Sequence, residues 1–253
     1  MFNVIIIGTG KIGIDLYIKL KKKRIFNKIY IFNTNKNSEG AKYCRKNNFL
    51  YSDQGVKGVI SKLSKTKIIF DCTSAKSNKK ITDKLKNYLN KIFYINLTPS
   101  KFGNYVVPYF NQNLIPKKIN LITCGGQTSI PIITSFKKVL LKKLKYVELV
   151  SSISAKSAGK ATRENINEYV INTEGAIKKL SKIKKTKVII IINPSDPPVN
   201  MMNSLFFELE KPLSVKEFSK LKLSLNEINA KIKNYIPQYN AILFKTFNKK
   251  IFR

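Results

Sequence analysis

Short apolar runs alternate with lysine-rich amphipathic stretches through the first half of the chain. The runs Asn3–Ile7, Lys28–Phe32, Lys67–Asp71, Ile92–Leu97 and Asn120–Thr123 predict buried strands of a parallel sheet, since their near-continuous apolar character suits burial on both faces. The stretches Ile14–Lys22, Gly40–Lys46 and Lys79–Asn90 predict the helices between them, the rhythm of an α/β fold. Beyond Cys124 the rhythm changes. Ile130–Lys142 predicts a helix and Tyr146–Ile153 a strand. Thr162–Ile183 predicts a further helix, with Ile166, Tyr169, Val170, Thr173, Ile177 and Leu180 at helical spacing. Strand Lys187–Ile192, a turn over Asn193–Pro198 and strand Leu205–Leu209 follow. A last stripe, Phe218, Leu221, Leu225, Ile228, Ile232 and Tyr235, steps by three and four; it spans too few heptads and lacks the charge alternation of a coiled coil, so it predicts a helix packed on its own sheet.

A length of 253 residues with 43% hydrophobic content gives one large domain or two modest ones, each with a real core. The opening Met1–Gly8 reads as a strand and not as a signal peptide, because it has no basic leader and its apolar run stops at Gly8. No apolar stretch reaches membrane-spanning length. Cys44, Cys72 and Cys124 have neither metal-like spacing nor an even disulfide set, which points to a reducing cytoplasm.

The net charge of +34 brings nucleic acid to mind, but only Arg24, Arg45, Arg163 and Arg253 among the 48 basic residues are arginine. Base readers and phosphate clamps favour arginine for its planar fork. The lysines are dispersed beside an excess of Asn, Ile, Phe and Tyr, all with A/T-rich codons, so base composition accounts for them. Binding to duplex DNA is therefore expected to be weak, sequence-blind and largely lost by moderate salt. A mobility-shift titration in salt checks this, and a salt-resistant preference for one sequence would overturn it.

Gly8-Thr-Gly10-Lys-Ile-Gly13 fits the G-x-G-x-x-G pattern between a strand and a helix. Gly8 permits the turn, Gly10 lets backbone approach a pyrophosphate, and Gly13 lets helix and strand pack closely, with the helix N-terminus facing the anion. The plain alternative is a tight strand-to-helix turn. The second strand ends at Asn33 where an acidic residue is expected for the ribose, with Asn35, Lys28 and Lys36 nearby. Asparagine can still accept from a ribose hydroxyl. The expected cofactor is NAD, with NADP left open.

Asn120–Gly126 places the Cys124 thiol at a strand end, before two glycines and a helix. The helix N-terminus is expected to lower the thiol's pKa, and free backbone N–H groups there to hold an oxyanion. Cys44 and Cys72 fit the role of small buried side chains better. The chain has no histidine, which excludes Ser-His-Asp and Cys-His machinery and every His-ligated metal site; no metal is expected. Thiolate attack on an aldehyde, with a nicotinamide taking the hydride, needs no imidazole.

These residues resemble the acylating acetaldehyde dehydrogenases that partner 4-hydroxy-2-oxovalerate aldolase. The resemblance runs from Asn3 to about Tyr239 and rests on Gly8–Gly13, Phe70–Ala75, Leu97–Pro99, Thr123–Pro131, Lys156–Gly159 with Thr162-Arg163, and Asn193–Pro198. It implies an α/β protein: an N-terminal Rossmann parallel sheet, plus a second α+β domain with a mostly antiparallel sheet that dimerises. It implies an acyl-thioester on Cys124, and NAD contacts from Thr9, Gly10, Lys11 and Ile12 and from Ala155, Lys156, Ser157, Ala158, Gly159, Lys160, Ala161, Thr162 and Arg163. The implied reaction turns acetaldehyde, coenzyme A and NAD into acetyl-CoA and NADH, within the catabolism of aromatic hydrocarbons and with a possible aldolase subunit as partner.

Two departures stand out. The family's Met-Arg-Asp-Thr-like run reads Met201-Met-Asn203-Ser here, so Asn203 replaces a carboxylate. The family pattern also continues some tens of residues past Arg253, so the resemblance reads as a C-terminally truncated member, lacking a tail that returns an Asn to the nicotinamide. The expected organisation is a nucleotide domain over 1–123, a catalytic and dimerisation domain over 124–236, and a remnant, 237–253, packing back on the first domain. A degenerate, non-catalytic structural partner of an aldolase is the alternative function. A semialdehyde dehydrogenase is a near neighbour in mechanism, against which the Cys124 and Lys156 blocks weigh.

Overall fold

The computed structural model describes residues 1–111, 116–140, 143–158, 163 and 165–241. Its first sheet has seven strands: β1 (Asn3–Ile7), β2 (Ile29–Phe32), β3 (Leu50–Ser52), β4 (Thr66–Asp71), β5 (Phe93–Asn96), β6 (Asn104–Tyr105) and β7 (Lys118–Asn120). Every pairing in it is parallel, in the order β3-β2-β1-β4-β5-β7-β6. All five residues of β1 are buried because both faces are covered. Val4 and Ile6 meet Tyr17 of α1 (Lys11–Lys23) and Cys44 of α2 (Glu39–Lys46). Ile5 and Ile7 face the other way, towards Val59 of α3 (Gly55–Ser61) and Ile81 and Leu85 of α4 (Ala75–Leu85). The order reverses between β1 and β4, which leaves a crevice at the strand C-termini, where ligands of such sheets bind.

The sequence pattern misses β3, α3, the two-residue β6 and the short α5 (Pro108–Asn111). Leu50–Ser52 is too brief to show alternation, and α3 carries Gly55 and Gly58, poor helix formers. Strand β7 covers Lys118–Asn120 and stops before the expected end at Thr123, because the chain turns at Ile122.

After Cys124 come α6 (Cys124–Leu140), β8 (Leu144–Ser154), α7 (Ile166–Ser181), β9 (Lys185–Asn193), β10 (Met202–Leu209) and α8 (Val215–Lys233). The second sheet, expected to be mostly antiparallel, is mixed: β10 runs antiparallel to β8, while β9 runs parallel to it because α7 carries the chain back before β9 begins. Val147, Leu149 and Val188 line its inner face, packed with Ile130, Ile133 and Phe136 of α6, Tyr169 and Ile177 of α7, and Leu221 of α8. Helix α8 starts on a capping box between Ser214 and Glu217. Lys143, also bonded to Glu217, helps hold that carboxyl down to about 2.

Of the segment expected to return to the first sheet, residues 237–241 touch the second unit. Tyr239 Oη donates to the Thr128 carbonyl of α6, and Ala241 N donates to Asn229 Oδ1 of α8. Residues 242–253 lie outside the described residues. Among the described residues, no helix is long and apolar enough to cross a membrane.

Candidate active site

Three neighbouring strands end alike. Asp71, Asn96 and Asn120 are register partners across β4, β5 and β7. Each side-chain oxygen accepts the N–H two residues on: Thr73 N at 2.9 Å, Thr98 N at 2.9 Å and Ile122 N at 2.6 Å. These Asx turns bend the chain away from the sheet at one level and so line up the floor of the crevice. Asp71 is fully buried and also accepts from the Tyr94 hydroxyl at 2.6 Å and from Asn78 Nδ2 at 2.8 Å.

At Asn120 the turn is tighter. Ile122 has φ +63°, a conformation that a β-branched residue adopts only under constraint. The constraints are the Asn120 bond and Gln127 Nε2, which donates to the carbonyls of Leu121 and Val106, each at 2.7 Å. The kink delivers Cys124 to the first turn of α6. That helix begins six residues earlier than expected because Thr123 caps it: its Oγ1 accepts from Gly126 N at 3.1 Å and pairs with Thr173 Oγ1 at 2.7 Å.

Tyr169 of α7 closes the site from the other side. Its buried hydroxyl accepts from Gly125 N at 3.2 Å, donates to Ser151 Oγ of β8 at 3.3 Å, and bonds the Cys124 thiol. A Cβ at residue 125 would overlap the Tyr169 hydroxyl and crowd Ser151, so glycine is required there despite its low helix propensity. Two N–H groups expected to be open, those of Gly125 and Gly126, are thus already engaged.

The thiol itself departs from expectation. Cys124 is exposed at the surface, yet the protein packed around its sulfur weakens hydration of the thiolate and pushes the thiol above its ordinary value. The nearby Tyr169 hydroxyl and the N–H groups of Gly125 and Cys124 oppose the shift without reversing it. Burial drives Cys44 up to about 11, and Cys72 further still. Asn203, cross-strand from Ser151, donates to Thr128 Oγ1 on α6, while its own Oδ1 is buried without a partner.

The glycine loop lies at the end of β1. Gly8 has φ +107°, and a Cβ at Gly13 would overlap the Gly8 carbonyl oxygen. Gly10 is the N-cap of α1, with no side-chain cap and open space where a Cβ would stand. Thr9 is buried and its hydroxyl accepts from Asn33 Nδ2 at 2.7 Å, while Ile12 is exposed. Asn33 also donates to Ser38 Oγ and accepts from Thr34 N, so it knits its own loop together.

The two sets of residues expected at the cofactor come together. Lys11 Nζ donates to the Lys156 carbonyl at 3.1 Å, and Arg163 donates to the Ala155 carbonyl at 2.9 Å. Lys156 pairs with Asp196 at 2.6 Å. Ser157 and Ala158 continue this turn, whose N–H groups bond back to the Ser154 carbonyl. Gly159, Lys160, Ala161 and Thr162 lie outside the described residues.

The family described as "Prokaryotic acetaldehyde dehydrogenase, dimerisation" matches residues 124–252. An acetaldehyde dehydrogenase of Burkholderia pseudomallei (strain K96243) is 36% identical over 243 residues, covering 95% of this chain and 80% of that protein. The chain belongs to the acetaldehyde dehydrogenase family. Another acetaldehyde dehydrogenase, from Bacillus cereus (strain ATCC 10987 / NRS 248), is 34% identical over 93% of this chain and 77% of its own. Among solved structures, aspartate semialdehyde dehydrogenase II of Vibrio cholerae superposes with a TM-score of 0.61 over 90% of this chain and 78% of that one, at 13% identity, a likeness of fold alone.

Family membership makes the chain an oxidoreductase of the aldehyde dehydrogenase kind on a Rossmann-type fold. In this acetaldehyde dehydrogenase family member the helical stripe marks Tyr169 and Thr173 only as core positions. Both are buried, but their hydroxyls point at the first turn of α6. Two hydroxyl side chains within an otherwise apolar stripe were the available signal.

Proposed function

We propose that this chain catalyses NAD-linked, coenzyme A-acylating oxidation of acetaldehyde through a thioester on Cys124. The observation that carries the reading is the exposed Cys124 thiol at the start of α6, behind the strained Ile122 and beside the Tyr169 hydroxyl. Sγ attacks the aldehyde carbon to give a hemithioacetal. Loss of hydride from that carbon, with the hydroxyl proton passing to solvent, leaves an acetyl thioester; a second thiol, that of coenzyme A, then gives up its proton, takes the acyl group and releases Sγ. NAD, when bound, supplies the hydride acceptor. The uncapped N-terminus of α1 with open space at Gly10 fits a pyrophosphate, and Thr9, Gly10, Lys11 and Ile12 would hold it together with residues 155–163. The three cysteines form no disulfide, in keeping with a cytoplasmic enzyme.

The outer face of the second sheet supports a homodimer. Met202, Ile191 and Phe206 are exposed on it, with Val150 and Ile189 between them, and no described residue covers this face. The matched family region carries the word dimerisation. A second copy would bury these side chains, as a stable interface requires. Phe206→Glu should convert a dimer to a monomer in sedimentation velocity; an unchanged dimer would place the interface elsewhere.

Asn203 favours the second reading, a subunit without catalysis that partners an aldolase, since its orphaned Oδ1 is no carboxylate. NADH formation from acetaldehyde that depends on coenzyme A decides between the two. Turnover supports the enzyme, and its absence in a folded, NAD-binding chain supports the structural subunit.

A further inference from the structure

We infer that the Tyr169 hydroxyl is the group that stabilises the Cys124 thiolate, by turning its single hydrogen from Ser151 Oγ to Sγ when the thiol ionises. The inference rests on Cys124 being the nucleophile, and it names the residue that makes that nucleophile usable in a chain without histidine.

The phenol's own hydrogen bonds are satisfied in both states. Tyr169 Oη has one hydrogen and two lone pairs. With a neutral thiol it donates to Ser151 Oγ and accepts from Gly125 N. When Sγ loses its proton to water, for which its exposure gives a path, the phenolic hydrogen turns to the sulfur. The Ser151 hydroxyl reverses and donates to Oη, and Gly125 N stays where it is. In the thiolate state the hydrogens of Tyr169 and Ser151 both have acceptors, and Tyr169 never ionises. Ser151 is fully buried, so the pair is shielded from competing water.

Apart from Ser151 and the neighbouring Thr123 hydroxyl, the groups around the pair offer the Tyr169 hydroxyl no competing partner. Thr123, Thr173 and Asn203 are uncharged and bonded among themselves or to Thr128. The carboxylates on the packed elements are turned elsewhere: Glu148 accepts from Tyr146, and Glu174 accepts from Val188 N on β9. Glu168, beside Tyr169 in sequence, lines the lysine-rich cleft next to α4 with Lys76, Lys79 and Lys101. Burial raises the phenol's own pKa far above neutrality, which keeps its hydrogen in place. Asn203 stands where the resemblance implies a carboxylate, so a neutral donor at Tyr169 suits this chain's site.

The test is the pH dependence of Cys124 alkylation by iodoacetamide, read by peptide mass spectrometry on the full chain without cofactor or substrate. Tyr169→Phe keeps the ring packing and removes the donor. Its profile should move to higher pH, and the Cys124 rate at neutral pH should fall about tenfold, the equivalent of one pKa unit. Replacing Tyr169 with 3-fluorotyrosine keeps the shape and strengthens the donor, so that profile should move to lower pH; this arm stands even if Tyr169→Phe fails to fold. Profiles that superimpose on the parent would overturn the inference, whatever happens to thermal stability. These readouts are separate from the acyl-enzyme reading: if Cys124→Ser kept full turnover, that reading would fail, while the alkylation profiles would still report on the hydroxyl.

Discussion

Cys124→Ser is expected to lower coenzyme A-dependent NADH formation at least about 10^4-fold, the scale seen when a covalent nucleophile is removed. The sulfur is the only group at the start of α6 that the proposed mechanism asks to attack. A serine there would need a base, and the chain has no histidine to serve as one. Its nearest titratable neighbour, Tyr169, is buried and pushed up, so it holds its proton. The substitution is small and the residue is exposed, so melting temperature and NADH binding should match the parent. Turnover within about tenfold of the parent would show that Cys124 does not carry the chemistry.

Gly10→Val and Gly13→Val should part company. At Gly10 the backbone has φ −73° and a side chain would enter open space, so the fold should survive. The cost is about 1 kcal/mol, for a poor N-cap residue. NADH titration should nonetheless show binding lost, because the branched side chain would stand where the pyrophosphate approaches α1. At Gly13 the added carbon overlaps the Gly8 carbonyl oxygen, which belongs to the loop backbone and cannot swing aside. That variant should lose about 3 kcal/mol or more and unfold well below the parent. Unchanged NADH affinity in Gly10→Val would rule out the loop as the cofactor site, and a stable Gly13→Val would contradict the packing.

Much of this architecture was legible in the chain because burial on two faces leaves a strong mark. Asn3–Ile7 is apolar throughout, and the structure buries all of it. The elements that escaped are those whose residues carry no such mark: Leu50–Ser52, partly exposed at a sheet edge, and the glycine-bearing α3. The start of α6 escaped for a different reason. Cys124-Gly-Gly126 has low helix propensity, but Thr123, Tyr169 and Thr173 supply the bonds that hold the turn, and the last two lie far along the chain. The same cause explains the thiol. Its place at a helix N-terminus can be read from local sequence, whereas the crowding that pushes it up comes from the tertiary fold. Of the three Asx turns only Asp71 ends an expected strand; Asn96 falls inside one and Asn120 begins one, and their common level depends on register.

The central claim is an acyl group held on Cys124, and peptide mass spectrometry after incubation with acetaldehyde and NAD, with coenzyme A withheld, tests it most directly. The account predicts one acetyl group, located on the peptide containing Cys124, absent from Cys124→Ser and removed when coenzyme A is added. An unmodified Cys124 in a chain that still forms NADH, or an acetyl group on Cys44 or Cys72 instead, would contradict it.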